Sequence, residues 1–247
     1  MSFSTNIITL TDDLHKQSTA TPIMQRYLQK KVTLKQHADY LLQQYYIFLA
    51  LEQLIEQHQS HPIFKDSGLH TLIKNMNRSE VIQKNYVAIT EKLNQLNATL
   101  TEDKLWPETV SLIKALKQHQ SNPEKILAHA FVHYLALLNG GLIIKAKLNQ
   151  TFSNLNKEAL EFYTVKPSLV AVNHNFQRKV DTIAHLLNES DFLCEVEYSY
   201  QWIIKQMQHN DKALLSCHST LFKYLPPIAA ATAVGLGLAT CYWRMGN

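Results

Sequence analysis

The sequence predicts an all-α protein, and three observations carry that prediction. Apolar residues recur every three or four positions in one segment after another, which is the spacing of a helix face and not the alternation of a strand. Glycine and proline are scarce, 6 and 7 in 247 residues, where a turn-rich β protein needs many more. Hydrophobic residues make up 46% of the chain, so a sizeable core is available. No linker rich in glycine, proline or serine divides the chain, and neither solenoid-period repeats nor low-complexity blocks occur.

The elements follow in order. Thr11-Asp12 caps a short helix through His15, which lies at the edge of an apolar face. Thr21-Pro22 starts the next, with Ile23, Met24, Tyr27 and Leu28 inward. Thr33 opens a long helix to about His58, where Leu34, Leu41, Leu42, Tyr45, Phe48, Leu51, Leu54 and Ile55 keep a helical period. His61-Pro62 breaks it. Further helices are predicted at Leu69–Met76, Ser79–Leu96, Pro107–His119 and Pro123–Leu148. Leu160–Val165 is a short break before helices at Ser168–Leu187 and Asp191–His209. Eight or nine helices packed as a bundle result.

The stretch Leu127–Lys147 is apolar almost all round, yet carries His129, His133 and a Gly140-Gly141 pair in mid-run. Each glycine costs a helix about 1 kcal/mol relative to alanine. A chain tolerates that where the helix bends, or where its backbone must approach something large and flat. We read a long buried helix bent at Asn139-Gly140-Gly141 with a bulky object against the bend. Tight helix–helix packing on the glycines is the competing reading.

Leu225–Trp243 holds 19 residues without a charge, bracketed by Lys223 and Arg244. A spanning helix needs about 20 mostly apolar residues. The segment reads as a tail anchor, against the alternative of an Ala/Gly-rich helix docked on the core. The expected organisation is a helical domain at 1–210, a linker at 211–223 and an anchor at 224–244, with the body on the cytoplasmic face of a membrane.

Composition excludes several classes. The net charge of +4 is mild and its basic residues are scattered, which argues against a nucleic-acid partner. Cys194, Cys217 and Cys241 form no CxxC, as suits a reducing compartment. The first ten residues lack the pattern of a secretory signal. No GxSxG, P-loop or GxGxxG occurs. His129 and His133 stand i, i+4, a spacing that can chelate a metal, but no HExxH or ExxH pattern accompanies them. The pair alone reads as structural.

Three segments together resemble the heme oxygenase family. Leu14–Leu28, LHKQSTATPIMQRYL, is similar to the segment that carries the proximal histidine and continues into a methionine, and places His15 and Met24 on that pattern. PEKILAHAFVHYLALLNGGLIIKAK resembles the distal helix, which reads like AHAYxRYLGDLSGGQ; Ala128, His129, Ala130, Tyr134, Leu135, Gly140 and Gly141 match. LEFYTV resembles the break that follows, and an apolar tail suits membrane-bound members. The resemblance implies a multi-helix bundle holding heme between a proximal and a kinked distal helix. It implies His15 as the iron ligand, Met24 and Tyr134 beside the heme, and Gly140, Gly141 and Asn139 on the distal face where oxygen binds. It implies heme as both cofactor and substrate, opened with oxygen to biliverdin, carbon monoxide and ferrous iron. It also implies electrons from a reductase or a ferredoxin- or flavodoxin-type partner, in keeping with the lack of a reductase-type nucleotide motif. Arg178 and Lys179 are the candidates for clamping the propionates, against the alternative of ordinary solvated charges.

The chain departs from the family on the distal side. The family's GD is Ala136-Leu137, and Leu137 can neither donate nor accept a hydrogen bond where an aspartate would hold ordered water. The family's serine before the glycines is Asn139, its glutamine after them Leu142, the tyrosine of AHAY Phe131, and a glutamate after the proximal histidine Thr19. Asn139, or His133 if it faces the pocket, is left to restore part of the network. Two further readings stay open: a heme-binding or heme-sensing protein with little ring opening, and a tail-anchored interaction protein without heme.

Overall fold

The computed structural model describes residues 1–94, 99–155 and 157–223, with side chains described through residue 208. Among them are α1 (Phe3–Leu10), α2 (Asp12–Thr19), α3 (Pro22–Leu28), α4 (Leu34–Gln57), α5 (Pro62–Lys65), α6 (Leu69–Met76), α7 (Arg78–Lys92), α8 (Pro107–Gln118), α9 (Pro123–Thr151), α10 (Leu169–Thr182) and α11 (Glu189–Lys223). The described residues contain no strand.

The two long core helices start where their sequences dictate. Thr33 and Gln36 form a reciprocal capping box on α4, satisfying two N–H groups that the helix itself cannot. Asn122 accepts from the Lys125 N–H, and Pro123 occupies the first turn of α9, where a missing N–H costs nothing. α4 packs against α7, α8 and α9, and α9 against α3 and α10. Leu127, Ala128, Ala130 and Tyr134 of α9 are fully buried. α9 is also long and apolar enough to cross a membrane, but it is mostly buried inside the bundle.

Glu52 of α4 ties three elements together. Its carboxylate accepts from the N–H groups of Arg78 (2.7 Å) and Ser79 (3.3 Å), at the start of α7, and from the Tyr134 hydroxyl of α9 at 3.2 Å. An acid at a helix N-terminus also meets the positive end of the helix dipole. Arg78 is buried and donates to the carbonyls of Met76, Phe162 and Thr164. Between α6 and α7 the chain turns at Asn77, whose φ of 40° is a left-handed conformation that asparagine tolerates.

Boundaries shift where side chains compete with the expected caps. Thr11 does not cap α2; its hydroxyl donates back to the Ile7 carbonyl at 2.9 Å, and the helix runs on past His15 to Thr19. The helix expected to reach Leu96 is assigned to Lys92. Leu160–Val165 falls largely within a 3-10 turn, Glu158–Tyr163, interrupted by the non-helical backbone of Leu160. The helix expected to reach Leu187 ends at Thr182 and is followed by a 3-10 turn at Ala184–Leu186. α9 runs as one α-helix through Gly140-Gly141.

The chain divides into two units, Met1–Asn210 and Asp211–Asn247. The stretch expected as a linker, 211–223, is helical. The expected anchor at 224–244 lies outside the described residues.

Replacing Glu52 with alanine is expected to destabilise the protein by about 1.5–3 kcal/mol, since charge-assisted bonds to two backbone donors and a buried phenol are lost together. Urea unfolding of E52A measures this. An unchanged midpoint would show that the three contacts do not carry the junction.

Candidate functional site

One stripe of α9 leaves the core and lines a cleft. His133, Leu137, Gly140, Gly141 and Ile144 follow the i, i+4, i+7, i+8, i+11 spacing of a single helix face. Opposite them stand His15, Ser18 and Thr19 of α2 and Met24 and Tyr27 of α3. Tyr40, Gln44 and Phe48 of α4, Phe162 and Tyr163, and Tyr200, Ile203 and Met207 of α11 complete the walls. The cleft holds about 890 Å³ of empty space with its open mouth counted.

The two glycines differ. A Cβ on Gly140 would meet no atom within 4 Å, so this glycine leaves open room beside the backbone. A Cβ on Gly141 would lie 3.3 Å from Leu137 Cδ1 and 3.7 Å from Tyr163 Cδ1. Gly141 thus packs closely against its own helix and Tyr163, while Gly140 borders open space.

Burial keeps several polar groups in the walls, and His37 next to them, neutral. Burial holds His133 down to about 3, with His129 adding repulsion, and burial alone holds His37 down to about 3. Burial pushes Tyr40 up to about 12, and raises Tyr27 and Tyr163 well above the ordinary phenol value. All five side chains are neutral at pH 7. Tyr27 Oη and His37 Nδ1 share a hydrogen bond of 3.0 Å, and the His37 ring stacks on Tyr163 with centroids 6.0 Å apart. His133 Nε2 and the Tyr163 hydroxyl are buried without a protein partner. Buried polar atoms are normally paired, so these two are candidates for contact with a guest or ordered water.

The residues singled out from the sequence divide. His15, exposed on α2, and Met24, half-buried on α3, reach the cleft with Gly140 and Gly141. Asn139 points out of it, exposed, its Oδ1 accepting from Asn173 Nδ2 at 2.6 Å. Tyr134 is fully buried, bonds Glu52 and stacks on Phe176; it does not line the cleft. Arg178 and Lys179 do not line it either. α10 turns Leu169, Val172, Phe176 and Val180 into the core, which leaves Arg178 exposed beside Asn175 (3.1 Å). It sends Lys179 Nζ to the Ser67 carbonyl, 2.8 Å away. Phe131 packs against Phe176 and Phe192, so its missing hydroxyl does not bear on the cleft. Sequence reasoning missed Tyr27, Tyr40, Gln44 and Tyr163 as wall residues, because an inward aromatic beside a cleft has the same helical phase as one in the core.

The site is a mostly apolar cleft between helices, with a histidine on one wall and a stretch of helix bare of side chains on the other. A heme oxygenase family model matches residues 1–195. The heme oxygenase of Takifugu rubripes is 27% identical over 172 residues, covering 65% of this chain and 55% of the relative. That of Rhodella violacea is 26% identical over 145 residues, covering 56% and 57%. The chain thus spans little more than half the length of these curated relatives. The structure of heme oxygenase from Leptospira interrogans superposes with a TM-score of 0.75 at 16% identity, covering 85% of this chain and 100% of that one. Heme oxygenase-1 from Synechocystis, solved in complex with heme, gives 0.74 at 14% identity, covering 90% and 98%. At these identities the structures share the fold; the match over residues 1–195 places the chain in the heme oxygenase family.

Gly140→Ala is expected to raise stability by up to about 1 kcal/mol, because alanine is the better helix former and its methyl meets no neighbour, while weakening hemin binding. Thermal unfolding and a hemin titration on the same variant test the opposed signs. The pH dependence of stability should show the buried histidines. Between pH 6.5 and about 3, His37 and His133 bind protons in the unfolded chain that the fold refuses. Their contribution is complete above pH 6.5 and is lost as pH falls, by about 1.4 kcal/mol per unit for each ring. Urea midpoints at pH 7 and 5, in wild type and His133→Leu, measure it; the variant should lose about half the slope.

Proposed function

We propose that the chain oxidatively opens heme to biliverdin, carbon monoxide and ferrous iron, using electrons from an external reductase or a ferredoxin- or flavodoxin-type protein. One observation carries the reading: a neutral slot with His15 on one wall and the open backbone of Gly140 on the other. His15 would hold the iron from the α2 side, leaving the α9 side for oxygen. When bound, heme supplies both the metal that activates oxygen and the ring that is cleaved. Leu137, Gly141, Ile144 and Phe162 exclude water from that side. His133 takes the place in this reading of the polar group that Leu137 lacks. Held neutral, it keeps one N–H and one lone pair, so it can donate or accept a hydrogen bond on the α9 side. The uncharged run from Leu225 to Trp243 supports a tail anchor with the body on the cytoplasmic side.

Leu137 favours a second reading, in which the chain binds or senses heme with little turnover, because the wall is short of groups that move protons. A hemin titration followed by reductant and air separates the two. Saturable one-to-one binding, loss of the Soret band and appearance of a biliverdin band are expected, and His15→Ala is expected to abolish the histidine-ligated spectrum. A stable Soret band would leave binding without turnover. No saturable binding would remove both readings.

A further inference from the structure

We propose that His119, His129 and Glu195 form a divalent-cation site, suited to a borderline metal such as zinc, separate from the cleft. Neither this site nor its test depends on heme chemistry. The three residues come from different elements: His119 closes the C-terminus of α8, His129 sits on α9 and Glu195 on α11. Their ligating atoms all lie within 4.8 Å of one another. Both Nε2 atoms address one oxygen, Glu195 Oε1, at 2.8 Å from His129 and 3.3 Å from His119.

Zinc bonds to nitrogen and oxygen are about 2.0–2.2 Å long in tetrahedral geometry, which sets the ligand atoms roughly 3–3.5 Å apart. The oxygen is therefore already close to that spacing from both nitrogens. What adjustment remains falls on His119, at a helix end with its side chain 21% exposed. His129 is fully buried and fixes the inner corner. Glu195 is buried and supplies a carboxylate oxygen as the third ligand. Lys125 Nζ lies 3.0 Å from the other oxygen, Oε2, which favours a one-oxygen ligand, and its side chain is 38% exposed and has room to swing toward solvent.

Two imidazole nitrogens converge on a single oxygen. A cation among the three would take the place of the Nε2 protons and engage all three ligand atoms. A cavity of about 140 Å³ opens beside Glu195, lined also by Asn122, Lys125 and Asp191. A bound ion would pin the end of α8 to α9 and α11.

The test is zinc binding to the full-length, heme-free, metal-stripped protein, read by competition with a chromophoric chelator. One zinc per chain is expected. His119→Gln, His129→Gln and Glu195→Gln should each weaken binding roughly tenfold or more, while His15→Ala leaves it unchanged. His119→Gln, at the exposed corner, keeps the test valid if the buried variants fail to fold. X-ray absorption of the zinc complex should show two imidazoles and oxygen ligands. No stoichiometric binding by wild type, binding indifferent to all three substitutions, or binding lost in His15→Ala would overturn the site.

Discussion

The rotation of α9 about its own axis is the constraint on which the rest depends. The helix is core on one side and wall on the other, and the two stripes are about a quarter turn apart. Tyr134 marks the core side, its hydroxyl held by Glu52, which also caps α7. His133, its neighbour in sequence, marks the cleft side. Because the same carboxylate serves the start of α7 and the side of α9, the cleft wall is oriented by contacts made outside the cleft. A twist of α9 would strand a buried phenol and expose the Glu52 junction together.

Much of this was legible in the sequence. Capping residues and helical periodicity located the starts of α3, α4, α6 and α9 within a residue or so, since Thr33, Pro22 and Pro123 act through local backbone chemistry that needs no tertiary partner. His15, Met24 and the glycine pair were found through motif order. What was not legible depended on helix phase. Arg178 and Lys179 sit on the right helix but face solvent and Ser67, because Phe176 and Val180 claim the core. Asn139 and Tyr134 flank the cleft stripe without belonging to it. A one-dimensional pattern shows that a residue is near a site along the chain, and rotation by 100° per residue then decides whether it arrives.

The distal departures also look different in three dimensions. Phe131 and Asn139 replace family hydroxyls, yet neither reaches the cleft, so those changes bear on packing and surface. Leu137 stands in the wall, as do the departures Ala136 and Thr19. The polar capacity that remains on that stripe is His133, one turn earlier, whose ring packs edge-on against Phe48.

The neutrality of the cleft has a consequence for how a guest lies in it. An amphiphilic disc entering uncharged walls pays no desolvation penalty only if its charged edge stays at the mouth. Under the proposed reading, solvation would set which edge points outward, with Arg178 and Lys179 engaged elsewhere. It would not set which face is up. A half-turn about the in-plane axis through the mouth would keep the charged edge wet and exchange the two faces. The choice between these flipped orientations would fall to the shape of the walls.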